Sequence, residues 1–160
     1  MTSFGDPAQW SCSVPALLLE APNRPVSIDV GINRSAAHVL IEAAHNRRLP
    51  TFTALTPAHT RYLAAGLRRP RPTITLPALG RGLALRWLSV RPDTVAGDIR
   101  LTVEGSRTPL GRWRIDADRI AEFAAMLAKA SSLLTRPDSP CERPPAEASA
   151  VAGTGFGELR

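Results

Sequence analysis

Val26, Ile28, Val30 and Ile32 alternate with Ser27, Asp29, Gly31 and Asn33. A period of two marks a strand with one buried face. The same period returns where Ile99, Leu101 and Val103 alternate with Arg100, Thr102 and Glu104. Residues 38–43, 51–55, 73–76 and 83–91 read as further strands. Residues 112–115 read as the last strand, with Trp113 and Ile115 inward and Arg112 and Arg114 outward. Residues 14–20 make a first strand, where Pro15 suits an edge or a strand start. Loops are expected at 92–97 and 105–111, and Gly80-Arg81-Gly82 reads as a hairpin turn.

Two segments change period. Thr56 is placed to cap a helix and Pro57 to occupy its first position. Tyr62, Leu63, Gly66 and Leu67 form its apolar stripe. Arg68, Arg69 and Arg71 gather at its end, where cations complement the helix dipole, and Pro70 and Pro72 stop it. A second helix, capped by Asp116 or Asp118, is expected to run to about Leu134 with Ile120, Phe123, Leu127 and Leu134 buried.

The order of strands followed by a helix occurs in residues 26–69 and again in 73–134. The two helices align, Leu63 with Phe123 and Leu67 with Leu127. Each half is too small to bury a good core alone, so packing them together is the economical solution. The expected fold is α+β: two pseudo-repeated βββα-type halves, with antiparallel sheets packed against two helices. One domain is expected over residues 14–134, after a flexible lead-in over 1–13. From 135 to 160 Pro, Ala, Gly and Ser dominate, and that composition predicts a disordered tail.

Charge adds a direction. The chain carries 20 Lys+Arg against 14 Asp+Glu, and Lys129 is the one lysine. Residues 1–134 hold 17 basic and 10 acidic residues, a net +7, and the remainder is −1. Arginine suits phosphate because its planar fork bonds two oxygens and stacks on bases. A GC-rich genome also replaces lysine with arginine, so the bias has two explanations.

Chemical motifs are missing from the sequence. It holds no P-loop, dinucleotide fingerprint, GxSxG or HExxH. Cys12 and Cys141 read as incidental thiols, and His38, His45 and His59 are scattered. No enzyme, metal site or cofactor is expected. No secretory leader is visible, and the longest apolar run, residues 14–19, falls far short of the roughly 20 residues of a membrane helix. The expectation is a cytoplasmic protein with no membrane span.

The functional candidates are therefore basic and aromatic. Arg86, Arg100, Arg112 and Arg114 are expected to form a basic sheet face that follows a phosphate backbone. Arg47, Arg48, Arg81 and Arg107 on hairpin loops would extend it. Single-strand binders stack bases on aromatic rings, and Trp87, Trp113, Phe52 and Trp10 are the rings to consider. Trp113 and Phe52 precede the helices and read as core. Trp87 shares its side of the strand with Leu83 and Leu85. A solvated sheet surface is the competing reading of the arginines.

The segment Leu49-Pro50-Thr51-Phe52-Thr53-Ala54-Leu55-Thr56-Pro57 followed by Tyr62-Leu63, and Gly111-Arg112-Trp113-Arg114-Ile115-Asp116 before Ile120 and Phe123, resemble the final strand and capped helix of the Whirly and positive-cofactor-four-like single-stranded nucleic-acid binders. The resemblance spans about residues 14–134. It implies a single-stranded DNA or RNA partner, a basic and aromatic sheet surface, and assembly into a homo-oligomer. Pro25-Val26-Ser27-Ile28-Asp29-Val30 and the run from Tyr62 to Pro70 also look like segments of the SsgA-like actinomycete proteins. That second likeness implies a protein-interaction module or scaffold in cell division or sporulation; an interaction module on this scaffold predicts an exposed apolar patch or sheet edge around residues 76–79 and indifference to DNA.

Overall fold

Eight segments with one apolar face each can hide those faces by closing into a barrel, and the chain does so. The structure is a computed structural model describing residues 10–20, 22–45, 49–94, 97–106 and 109–135. The strands β1 (Ser11–Leu18), β2 (Arg24–Asn33), β3 (His38–Ala43) and β4 (Thr51–Leu55) lead into helix α1 (Pro57–Leu67). Then β5 (Ile74–Leu79), β6 (Leu85–Pro92), β7 (Ile99–Glu104) and β8 (Pro109–Ile115) lead into helix α2 (Ile120–Thr135). Each strand pairs antiparallel with the next, and β8 returns to β1. The sheet is thus a single closed barrel rather than separate packed sheets; residues 26–69 hold three strands before α1, as expected, with β1 added ahead of them, and residues 73–134 hold four before α2.

Two seams are short. Strands β4 and β5 meet at one residue pair, Ala54 with Leu79. The β1–β8 closure rests on Leu17 with Arg114, Leu18 with Trp113, and the Leu19 amide donating to the Arg112 carbonyl. The Trp113 indole N–H ties β8 to the end of β3 by donating to the Ala44 carbonyl over 2.9 Å. Gly111 makes room for that ring, since a Cβ there would run into it.

Inward residues of all eight strands fill the barrel, among them Val14, Ile28, Ile41, Leu88, Leu101 and Trp113. Because neighbouring strands alternate in direction, β4 and β8, four steps apart, run the same way, so both helices sit at one end. There Leu63, Leu67, Phe123 and Leu127 join the barrel interior in one apolar cluster. An apolar interior with arginine-bearing strands outside is the reverse of a barrel built to cross a bilayer. Among the described residues no helix is long and apolar enough to cross a membrane.

Several local expectations meet the structure directly. The Thr56 hydroxyl accepts from the His59 amide over 3.1 Å and Pro57 opens α1. Tyr62 does not join the buried stripe: it is 63% exposed, and Thr60 and Ala64 take its place beside Leu63 and Leu67. Asp116 makes no side-chain cap, and α2 is entered through a 3-10 turn, Ala117–Arg119. The amide of Ala117 is instead satisfied by Asp98, 19 residues earlier in sequence, at 2.8 Å. Strand β1 starts at Ser11 and α2 ends at Thr135, so the ordered elements overrun residues 14–134 slightly at both ends. The expected tail, apart from Thr135, lies outside the described residues, as does most of the lead-in.

Candidate nucleic-acid interface

Registered antiparallel partners point to the same face of a sheet, and this fixes where each candidate arginine lies. Arg91 pairs with Arg100 and Arg100 with Arg114, giving one row of three arginines on the outer face of β6, β7 and β8. The neighbouring row is Thr75, Ser89, Thr102 and Arg112. The row beyond holds Pro77, Trp87 and Glu104. Arg100, Arg112 and Arg114 therefore share one face, as the alternation predicts.

Arg86 does not. It pairs with Ala78, whose side chain belongs to the barrel interior, so Arg86 lies on the opposite face, at the end of the barrel away from the helices. Parity is the reason: Trp87, Ser89 and Arg91 occupy the outer positions of β6, and Arg86 falls between them. Arg47, Arg48 and Arg107 lie outside the described residues.

Carboxylates further separate the outer arginines. Arg100 Nη2 donates to Asp93 Oδ1 over 2.7 Å. The Arg114 Nε stands 3.5 Å from Asp98, 3.9 Å from Asp116 and 4.0 Å from Asp93. The Asp93 side chain is only 3% exposed. Burial by itself raises its pKa, but the Thr94 amide, the Arg100 hydrogen bond and the charges of Arg100 and Arg114 outweigh that, leaving the carboxyl below its ordinary 3.8. Arg100 and Arg114 are thus largely structural cations. Among the described residues Arg91 and Arg112, both exposed, have no carboxylate within 4.0 Å.

A groove of about 460 Å³ runs over this surface, lined by Ser89, Arg91, Arg100, Thr102, Glu104 and Arg112 together with Asp93. Trp87 flanks it on β6, 50% exposed. The other rings face elsewhere. Trp113 is fully buried and Trp10 packs against the core. Phe52 belongs not to the barrel interior but to a small outer cluster with Leu40, Ala54 and Leu79, with the Arg81 guanidinium 5.5 Å above its ring.

The residues that sequence reasoning passed over are Arg91, Ser89, Thr102, Asp93 and Asp98. The first three were available from the period-two series that already held Trp87 and Arg100. The aspartates sit in a loop whose fold-back onto β7 and β8 has no local signature. Among the described residues no group of three or more His, Cys, Asp or Glu is placed to hold a metal. No family model matches the chain, and no curated protein matches it.

Proposed function

We propose that the protein binds single-stranded nucleic acid, DNA or RNA, along the outer face of β6–β8, without enzymatic action of its own. The observation that carries this reading is the groove in which Arg91 and Arg112, with no carboxylate within 4.0 Å among the described residues, stand beside two hydroxyls and an exposed tryptophan. Arg91 and Arg112 hold phosphate oxygens, Ser89 and Thr102 donate to the same backbone, and Trp87 stacks on one base. Arg100 and Arg114, held by Asp93, Asp98 and Asp116, keep the surface positive without each reaching the ligand. The order of four strands and a helix, given twice, supports reading the chain as a duplicated unit of the Whirly-like kind.

The test is fluorescence anisotropy of labelled single-stranded and duplex oligonucleotides at two salt concentrations. Micromolar or tighter single-strand binding that weakens steeply with salt is the expected result, and absence of binding at low salt overturns it.

One observation favours a second reading, a protein-interaction module that also self-associates. Leu85 is 75% exposed on the outer face and lies in register with Leu79, next to Trp87. Of the expected patch around residues 76–79, Leu76 and Ala78 are buried, while β5 pairs with β4 only through Leu79 and Ala54, so the exposed apolar group nearest to it is Leu85. In that reading Leu85→Ser weakens self-association measured by sedimentation, and oligonucleotides have no effect.

A further inference from the structure

The end of the barrel opposite the helices holds a second cluster of cations that the outer groove does not use. Arg86 occupies an inner-face position at this end, opposite Ala78. Arg81 comes from the 3-10 turn Arg81–Leu83 that joins β5 to β6, and its guanidinium lies over the Phe52 ring. Both arginines line a pocket of about 200 Å³ whose walls are His45, Leu49, Pro50, Thr51, Phe52 and Leu110.

Among the described residues neither guanidinium has a carboxylate closer than 4.0 Å. Arg86 Nη1 donates to the carbonyl of its own neighbour Leu85 over 2.9 Å, and among the described residues no carboxylate lies within 4.0 Å of it. Arg81 Nη2 reaches the Pro50 carbonyl at 3.5 Å and Glu42 at 4.0 Å, both at the outer limit of such contacts. A guanidinium stacked on a ring keeps its in-plane N–H groups available for a planar or tetrahedral oxyanion.

The local backbone is shaped for this arrangement. Gly80 lets the Arg86 side chain lie against the main chain, since a Cβ at that position would come within 2.8 Å of Nε. Leu83 holds φ +63°, a strained value for a residue of its bulk, in the turn that carries Arg81.

We propose that the pocket at this end of the barrel binds a small anionic ligand, its oxyanion head between Arg81 and Arg86 and its apolar body against Phe52 and Leu110. The volume, below the roughly 300–1,000 Å³ of drug-sized sites, restricts the body to about one small ring. Phosphate and carboxylate share the required chemistry. The site is independent of the outer groove, because Arg86 and Arg112 lie on opposite faces of the sheet.

The experiment is a calorimetric titration of the full chain with phenyl phosphate, benzoate and uncharged benzyl alcohol. Both anions are expected to saturate below the millimolar range, the tighter one identifying the head group, and the alcohol is expected not to bind. Arg86→Gln and Arg81→Gln each lower anion affinity about tenfold or more. Gly80→Ala does the same with the charge unchanged, by displacing the Arg86 guanidinium, and Arg112→Ala leaves the affinity as it was. Thermal melting verifies folding, and Arg81→Gln, on an exposed turn, carries the test if Arg86→Gln unfolds the chain. No saturation, equal binding of the alcohol, unaltered affinity in folded arginine variants, or loss in Arg112→Ala overturns the proposal.

Discussion

Arg91 stands directly opposite Arg100 across the β6–β7 pairing, yet among the described residues only Arg100 has a carboxylate within reach. Like charges placed opposite one another destabilise a sheet. The barrel relieves the repulsion at Arg100 and Arg114 with three aspartates and leaves it in place at Arg91. A position kept basic in this way favours an external anion, and the groove beside it supplies room for one.

Trp87 tests the aromatic part of the account. Trp87→Ala is expected to weaken single-strand binding by about 1–3 kcal/mol, the usual value of one stacked base, while thermal stability changes little because the ring is half exposed. Quenching of Trp87 fluorescence on addition of oligonucleotide is expected in the parent protein. An unchanged affinity in a folded variant removes Trp87 from the interface.

Asp93 links stability to pH in a definite direction. Its folded pKa lies below the ordinary 3.8, so its contribution is fully present above 3.8 and is lost as pH falls through the folded value. Asp93→Asn is therefore expected to cost about 1–3 kcal/mol at neutral pH, with the difference from the parent narrowing well below 3.8. The variant also releases Arg100 and is expected to bind single strands more tightly with a steeper salt dependence. Urea melts at the two pH values and anisotropy titrations check both halves. A purely structural aspartate changes the first and not the second.

Thr53 faces the barrel interior with its hydroxyl buried and unpartnered among the described residues. Thr53→Val keeps the shape and removes the unpaired group, and is expected to raise stability by about 1 kcal/mol in a denaturant melt. Gly111→Ala is expected to act in the opposite sense, losing about 1–3 kcal/mol by forcing the Trp113 ring from its place at the β1–β8 closure.

Local chemistry was legible in the sequence where neighbours in the chain decide it. The alternation around Ile28 and Leu101 located strands and their buried faces, and Thr56-Pro57 located the start of α1. Closure into a barrel was not legible, because the short contacts that achieve it, Ala54 with Leu79 and Leu18 with Trp113, join residues 25 and 95 positions apart. The same limit governed the site. Alternation put Arg100, Arg112 and Arg114 on one face, but which of them is neutralised depends on Asp93 and Asp98 folding back from a loop. Phe52 read as core from its place before a helix, and it is buried at 7% exposure, but in a second apolar cluster on the outer side of β3 and β4, beneath Arg81.

If Arg91 and Arg112 hold the phosphates of a single strand, the salt dependence of binding reports it. Anisotropy titrations of a labelled oligonucleotide over a range of salt concentrations are compared for the parent and the Arg91→Ala, Arg112→Ala double variant. Because each lost phosphate contact on a single strand reduces the slope of log K against log salt by about 0.7, the folded double variant is expected to show a slope shallower by about 1.4 and weaker binding at low salt. An unchanged slope and affinity contradict it.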